Sequence, residues 1–308
     1  MWKFLFRRVI ALIPVIIGAT LIVYFIMSLA PGDPAKMILG DEASPEAVQT
    51  LREEMGLEDP LLVQYGRYMF NILQGDMGIS YKSKKPVSEE IWARFPNTMK
   101  LTLTAMLFAI IISLPLGIIA AVKQNSFFDG FSMFLALLGV SMPPFWFGLL
   151  LILFFSLRLG WFPSSGSDTL KSIVLPSIAL GFLHMASIAR TTRSSMLEVI
   201  RQDYIRTARS KGLSYSTVIR KHALPNALIP TVTVIGLQVG VLLGGAVIVE
   251  TVFAWPGVGR LMVQSIMGRD IPMVMGCIII FTAGFSIVNL IVDLLYGLID
   301  PRIRSMYT

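Results

Sequence analysis

Side chains that commonly carry chemistry are scarce in this chain of 308 residues. There are two histidines, His184 and His222, and one cysteine, Cys277. Metal sites built from Cys and His need three or four ligands at short spacing, and the sequence has no such cluster. We therefore expect no metal site and no cofactor held by this chain.

The sequence also lacks the motifs of nucleotide-binding proteins and of hydrolases. A P-loop needs a Gly-Lys pair to surround phosphates, and this dipeptide does not occur. Ser164, Ser165 and Ser167 lie close together, but they follow an apolar stretch, whereas an intramembrane serine protease needs its serine within a span, facing a histidine. The sequence predicts that the chain is not an enzyme and that any ATP energy comes from other subunits.

The clearest functional pattern lies between residues 190 and 222, which include eight basic and two acidic residues. Apolar residues recur at helical spacing on one side of segment 196–211, namely Met196, Leu197, Ile200, Tyr204, Ile205 and Ala208. Arg201, Arg206, Arg209 and Lys211 fall largely on the other sides. This pattern predicts an amphipathic helix that ends at Gly212.

A second short helix is predicted directly afterwards. Ser214 is a suitable N-cap for a helix from Tyr215 to His222, and Pro225 begins the next apolar stretch. Two helices joined at a glycine predict a projection that fits a groove of a soluble protein. An amphipathic helix lying on the membrane surface is the alternative.

These segments belong to a strongly apolar chain. Hydrophobic residues make up 55% and charged residues 15%, with a mean hydropathy of +0.71, whereas about 25% of residues in soluble proteins are charged. Six uncharged stretches run over 9–30, 101–122, 131–157, 172–189, 223–249 and 271–292. Each is long enough to cross a bilayer core of about 30 Å as a helix. The predicted fold class is an all-α polytopic membrane protein with six transmembrane helices.

The charges predict how the chain is oriented. Lys3, Arg7 and Arg8 precede the first stretch without any acidic residue, which favours a cytoplasmic N-terminus. Residues 31–98 contain seven basic and eleven acidic residues and are expected outside, whereas the basic loop 190–222 is expected inside. The tail is then cytoplasmic too. A nucleic-acid partner becomes the weaker explanation of the net charge of +7.

Three regions follow from this topology. Residues 1–30 form the N-terminus and first helix, 31–98 an external loop domain, and 99–308 the transmembrane core, with cytoplasmic helices at about 190–225. Ser28 to Ala30 resemble a signal-peptidase site, but the apolar run before them exceeds the roughly 7–15 residues of a secretory signal. We expect an uncleaved first helix; cleavage would leave five spans and an external N-terminus.

The external loop is expected to be partly helical. Ser44 and Pro45 begin a helix over about 45–55 that Gly56 closes. After Pro60, apolar residues recur at helical spacing and predict one face of a second helix, formed by Leu61, Leu62, Tyr65, Tyr68, Met69 and Ile72. This face either packs on the transmembrane helices or is a docking surface for an external partner.

Within the spans, Pro143 and Pro144 are expected to bend or break the third. Gly236, Gly240 and Gly244 in the fifth are spaced for close helix contact, either with a partner chain or within this chain.

Polar residues are few inside the spans: His184, Gln238, Asn289 and Asp293. We interpret His184 as a hydrogen-bonded structural histidine rather than a proton relay. Glu250 and Asp293 lie at span ends, where contact with solvated headgroups is expected.

The basic loop resembles the coupling motif of ABC-importer permeases, in which a Glu-Ala-Ala triplet precedes a glycine and an Ile-x-Leu-Pro sequence follows. Here Arg206, Thr207 and Ala208 occupy the triplet, Gly212 matches the glycine, and His222 takes the Ile place before Leu224 and Pro225. The Arg-Thr-Ala form is typical of the dipeptide, oligopeptide, nickel and glutathione permease family.

The resemblance covers the whole chain. Matching segments are Arg7-Arg8 with Ile13-Pro14, Pro31 to Ala35, Gln74 to Asp76 with Gly78, Ala189-Arg190, Thr192-Arg193, Phe253 to Arg260, Arg269-Asp270, and Asp293 to Arg302. It implies a type I ABC importer permease in a bacterial or archaeal inner membrane. It also implies a homologous second permease subunit, two cytosolic ATPase subunits that bind ATP and Mg²⁺, and an extracytoplasmic substrate-binding protein.

Three groups of site residues are expected. ATPase coupling is assigned to Tyr204, Arg206, Thr207, Ala208, Lys211, Gly212, Leu213, Leu224 and Pro225. The translocation path or permease interface is assigned to Gly236, Gln238, Gly240 and Gly244, and an external gate or loop to Trp255, Pro256, Gly257, Gly259 and Arg260. The scarcity of charges in the spans favours short peptides as cargo. A nickel, metal-chelate or glutathione importer is the alternative, and a stand-alone channel or intramembrane enzyme is less favoured.

Overall fold

The computed structural model describes residues 2–29, 33–40 and 42–299, with the side chains of 10–29, 33–40, 42–292 and 294. The helices are α1 Trp2–Leu29, α2 Pro34–Leu39, α3 Pro45–Glu54, α4 Leu61–Leu73, α5 Val87–Val122, α6 Phe127–Ser141, α7 Pro144–Leu151, α8 Val174–Ile200, α9 Asp203–Ser210, α10 Tyr215–Thr217, α11 Leu224–Val252, α12 Val258–Met267 and α13 Ile271–Ile299. The side chains of Lys3, Arg7, Arg8 and Asp293, and the whole of Pro31, Gly32, Arg302 and Arg304, lie outside the described residues.

The predicted spans are confirmed as long apolar helices. Five of the described helices are long and apolar enough to cross a membrane. A sixth crossing results if α6 and the Pro144–Arg158 helix form one broken span. The chain bends by 108° between them, as in a broken span or a re-entrant loop. The break lies where Pro143 and Pro144 predict it, because proline removes a backbone donor and blocks the preceding turn. The second half, Ile152–Arg158, is a π-helix that continues α7.

The helices form two compact units. The first contains 99–255 and, among the described residues, 285–299. Its central helix is α8, which packs against α6, α7 and α11. The core consists largely of side chains that are fully buried, among them Leu101, Leu175, Leu180, Ile188, Leu242, Phe253 and Trp255. A Cβ atom at Gly181 of α8 would lie 2.6 Å from the carbonyl oxygen of Ala105 in α5, so only glycine permits this approach.

Among the described residues, the second unit contains 2–29, 33–40, 42–98 and 256–284. Val87, Ile91, Val258, Met273 and Cys277 form one buried cluster, and Tyr24, Tyr65 and Met275 form another. The external loop forms part of this unit.

Within that loop, the first predicted helix is confirmed as α3, whose N-cap Ser44 Oγ accepts from the amide of Ala47 at 3.2 Å. Arg52 of α3 is paired with Asp33 before α2, with 2.8 Å between Nη2 and Oδ2. Burial raises the pKa of the Tyr68 and Tyr81 phenols in this unit above the ordinary value.

Four details differ from the expectations. The helix predicted from residue 196 is two elements, because α8 extends to Ile200 and α9 begins at Asp203. No separate helix ends at His222, because the helical segment from Tyr215 continues through a π-turn at Val218–Ala223 into α11.

The other two differences from the expectations concern the solvent exposure of single side chains. Leu62 is 65% exposed and lies off the buried face of α4. Glu250 is fully buried instead of solvated at a span end, since α11 continues beyond it to Val252 within the core of the first unit.

Candidate functional site

The residues assigned to coupling lie in a helical projection, which we define as residues 203–223. Helix α9 has Asp203 in its first turn, where an acidic side chain interacts favourably with the helix dipole. The helix ends at Ser210 with Lys211 as its C-cap, and Gly212 follows with a φ of +81°. Side chains are strained at such a backbone angle, so glycine permits the reversal of chain direction. Ser214 then caps the next turn, with its Oγ 3.3 Å from the amide of Thr217.

The projection is fixed to the helices beneath it by an apolar cluster. Its buried members are Ala121, Met196, Ile205, Ala208, Val218, Ile219, Ala223 and Ala227. The predicted apolar side is thereby confirmed for Met196, Ile205 and Ala208. It is wrong for Tyr204, which is 42% exposed. The Tyr204 hydroxyl instead accepts a hydrogen bond from Asn226 Nδ2 at 2.9 Å, which connects α9 to the first turn of α11.

The outer surface of the projection is polar and basic. Of the residues assigned to coupling, Arg206, Thr207, Lys211, Gly212, Leu213 and Pro225 are exposed, Leu224 is half-buried and Ala208 is buried. The Arg209 guanidinium lies 5.3 Å from the centre of the Tyr215 ring, and Arg206 Nη1 lies 3.8 Å from Asp203 Oδ1. Such an exposed ion pair is weak. The surface therefore presents positive charge that its own acidic residues neutralise little.

The three glycines of α11, Gly236, Gly240 and Gly244, have two different surroundings in the first unit. A Cβ atom at Gly236 would lie 2.6 Å from Val292 Cγ1, and one at Gly240 would lie 3.0 Å from the Phe285 ring, so both glycines pack on α13 of the same chain. A Cβ atom at Gly244 would meet nothing within 4 Å. Gly244 lies instead on an exposed apolar stripe with Leu237, Val241 and Ile248. Of the two alternatives, packing within the chain therefore applies to Gly236 and Gly240.

Gln238 of α11 contacts His184 of α8. Its Oε1 lies 2.6 Å from His184 Nδ1 on α8, and His184 is buried. His184 is thus a hydrogen-bonded histidine at a helix contact, as predicted.

The segment assigned to an external gate turns sharply. Ala254 has a φ of +48°, and the Trp255 side chain is buried in the core of the first unit. In the second unit, Asn97 Nδ2 donates to the Pro256 carbonyl at 3.0 Å and the Val258 amide donates to Thr98 Oγ1 at 2.9 Å. Gly257 and Gly259 are buried and Arg260 is half-buried. These contacts hold the start of α12 against Asn97 and Thr98 of α5.

Two buried carboxyl groups have roles that sequence reasoning missed. Asp129 of α6 accepts two hydrogen bonds from Arg193 of α8, at 2.6 and 2.8 Å. Asp270 accepts from the Ser80 hydroxyl and from the Tyr81 amide at 3.1 Å, although 190 residues separate Ser80 from Asp270. The Arg269-Asp270 pair was noticed only as part of a resemblance. No local pattern connects either carboxyl group to its partner.

Known proteins are similar to this chain along its whole length. A family model described as "Binding-protein-dependent transport system inner membrane component" matches residues 113–305, and one described as "Binding-prot-dependent transport system membrane comp, N-term" matches residues 1–102. The "Dipeptide transport system permease protein DppB" of Alkalihalophilus pseudofirmus is 48% identical over 332 residues, which cover 99% of this chain and 100% of that protein. The "Glutathione transport system permease protein GsiC" of Escherichia coli strain K12 is 45% identical over 304 residues, with 99% of each covered.

Solved structures share the fold at lower identity. A chain of the MetNI methionine ABC transporter in inward-facing conformations aligns with a TM-score of 0.57 and 18% identity, covering 68% of this chain and 95% of that one. A chain of an amino acid ABC transporter crystallised with histidines aligns with a TM-score of 0.53 and 18% identity, covering 70% and 94%. The fold is therefore that of the membrane chains in ABC importers.

Proposed function

Because this chain belongs to the binding-protein-dependent permeases of ABC importers, we propose that it forms half of a path that brings short peptides across a bacterial or archaeal inner membrane. The observation that carries the proposal is the basic projection, whose exposed residues lie over a buried apolar cluster. The 48% identity to a protein named as a dipeptide permease supports short peptides as the cargo.

The chain transmits the energy of ATP rather than binding it. Two cytosolic ATPase subunits hold ATP and Mg²⁺, and each permease docks in a groove of one of them through its projection. Arg206 and Lys211 supply positive charge, and Gly212 and Leu213 form the tip. A docking surface transmits movement only if it is rigid relative to the spans. Ile205 and Val218, both fully buried, provide that rigidity.

The exposed stripe of α11 faces the central path and the second permease. Leu237, Val241, Gly244 and Ile248 recur at helical spacing on this stripe, and Gly244 leaves space for the backbone of another helix. Gly236 and Gly240 lie on the adjoining side of α11 and contact α13 of the same chain. We expect cysteines at Val241 and Gly244 to crosslink to the partner permease, whereas cysteines at these sites that react only with lipid-soluble reagents would contradict this assignment.

The external unit and the gate segment act on the outer side. The acidic residues of 31–98 face a substrate-binding protein that delivers the peptide, and Trp255 to Arg260 lie where the path opens outward. Glutathione, itself a tripeptide, is the second candidate cargo, because a glutathione permease is 45% identical over nearly the whole chain.

The test is the ATPase activity of the complete transporter in lipid nanodiscs, with this chain, its partner permease and two ATPase subunits. We expect several-fold stimulation by binding protein loaded with dipeptide and little by the empty binding protein. Stimulation only by glutathione-loaded binding protein would replace the dipeptide assignment. A chain that assembles with no ATPase subunit would overturn the coupling role.

The variant Gly212→Asp tests the projection itself. The substitution strains a backbone at φ +81° and adds negative charge to a basic docking surface. We expect normal membrane insertion but loss of uptake and of stimulated ATPase activity. Normal transport by Gly212→Asp would contradict coupling through the projection.

A further inference from the structure

Helix α4 of the external loop has three distinct sides. On its inner side Tyr65 is buried, and Leu61, Tyr68, Met69 and Ile72 are half-buried. Its polar side is formed by Gln64, Arg67, Asn71 and Gln74, spaced three or four residues apart along one stripe. Its third side is formed by Leu62, Val63, Gly66, Phe70 and Leu73 and is apolar and exposed.

The exposure of the third side is large. Leu62 is 65%, Phe70 60% and Leu73 83% exposed, and a Cβ atom at Gly66 would meet nothing within 4 Å. A helix at a water boundary normally has one apolar side against its protein and polar residues elsewhere. A second apolar side requires a second apolar surrounding.

Contacts with α1 give the depth of α4 relative to the membrane. The Tyr65 hydroxyl donates to the Ile17 carbonyl at 3.0 Å and lies 2.9 Å from Thr20 Oγ1. Tyr24 donates to Gln64 Oε1 at 3.1 Å. The span of α1 runs over Ile10–Leu29. With a rise of 1.5 Å per residue, Thr20 lies about 14 Å from the outer end of this span.

The residues of α1 beyond this contact are themselves exposed and apolar. Ile22 is 62%, Ile26 60% and Leu29 78% exposed within the chain. If α4 lay in water at the level of Thr20, these three side chains, which are farther out along the span, would lie in water as well. The part of α4 that contacts Thr20 therefore lies within the apolar length of α1.

The polar side of α4 has its own surrounding. Gln64, Arg67 and Asn71 line a cavity of about 450 Å³ in the second unit, and Arg67 is paired with Asp59. This cavity gives the polar residues of α4 access to water. The apolar third side of the helix faces away from the cavity.

From this arrangement we infer that α4 is a membrane-inserted helix of the external loop, whose side Leu62–Gly66–Phe70–Leu73 contacts acyl chains of the outer leaflet. The helix thereby ties the loop to the bilayer as well as to α1. Interfacial helices of this kind bind through buried apolar area, and their charged side chains reach out to water.

The experiment uses nitroxide labels on single introduced cysteines in the assembled transporter in nanodiscs. Cys277 is fully buried, so the wild-type chain is the control for background labelling. The test positions are Leu62→Cys, Phe70→Cys and Leu73→Cys. The matched control on the same helix is Asn71→Cys, and Glu54→Cys on α3 reports an exposed position in water.

We expect labels at the three test positions to collide several-fold more with oxygen, which concentrates in lipid, than with a water-soluble nickel chelate. Labels at Asn71 and Glu54 should show the reverse. Test labels that collide readily with the nickel chelate would overturn the inference. So would labels that are protected from both reagents, or protected only when the binding protein is added, since α4 would then contact a protein partner.

Discussion

Asp270 is the residue whose loss should affect the external loop most directly. Its carboxyl group is 2% exposed and accepts from the Ser80 hydroxyl and the Tyr81 amide. In Asp270→Ala both donors lose their acceptor, and each buried unsatisfied group costs about 1–3 kcal/mol. We expect faster proteolysis of residues 31–98 in the purified transporter and a lower unfolding temperature. Glu54→Ala, at an exposed position, is the control, and equal proteolysis of both variants would contradict this role.

At the residue scale, sequence reasoning succeeded where the cause is local. The positive φ of Gly212 and the capping of helices by Ser44 and Ser214 follow from backbone rules that a few neighbouring residues decide. The buried state of Glu250 and the partner of Asp270 depend on residues far away in the chain. Neither the burial of Glu250 nor the partner of Asp270 could be predicted from the spacing of residues in the sequence.

The contact between α5 and α8 depends on a glycine that no repeat pattern marks. A Cβ atom at Gly181 would lie 2.6 Å from the Ala105 carbonyl oxygen, so Gly181→Ala must separate the two helices. We expect a loss of about 1–3 kcal/mol by overpacking, seen as a lower unfolding temperature of the transporter. Gly130→Ala on α6 is the matched control, because a Cβ atom there meets nothing within 4 Å. An unchanged temperature for Gly181→Ala would show that the helices adjust.

The rigidity of α9 can be tested separately from its charges. Ile205 is fully buried in the cluster under the projection, and truncation of such a side chain costs about 2–5 kcal/mol. We expect Ile205→Ala to lower stimulated ATPase activity while basal ATPase activity and assembly persist. Tyr204→Phe removes only the partly exposed hydrogen bond to Asn226 and should behave nearly as wild type. Equal activity of Ile205→Ala and wild type would mean that the cluster does not transmit movement.

At the element scale, hydropathy predicted the spans and proline predicted the break in the third. The ends of the helices between residues 196 and 223 were predicted less well. Amphipathic spacing is continuous from Met196 to Ala208, but the chain turns at Arg201 and Gln202, because Ile205 must reach Val218 on the following helix. That requirement is tertiary, so periodicity alone could not place the boundary.

For the whole molecule, the orientation derived from charge gives a labelling prediction. In intact cells, a membrane-impermeant maleimide should modify Glu54→Cys and leave Arg209→Cys unmodified until the membrane is opened. Both positions are exposed, and the native Cys277 is fully buried. The expected orientation rests on the preference of basic loops for the cytoplasmic side. The reverse labelling pattern would show that the chain has the opposite orientation.

The helical path from Tyr215 to Val252 has a mechanical consequence. Its 38 residues pass from the projection through a π-turn into the span without a loop, and at 1.5 Å per residue the path is about 57 Å long. In the proposed coupling, such a helix would act as a lever. A force on the projection would then produce torque at the opposite end, where Gly244 and Glu250 lie, instead of being absorbed by slack in a linker. A π-turn holds one more residue per hydrogen-bonded ring than an α-turn, so conversion between the two would twist the helix as well as tilt it.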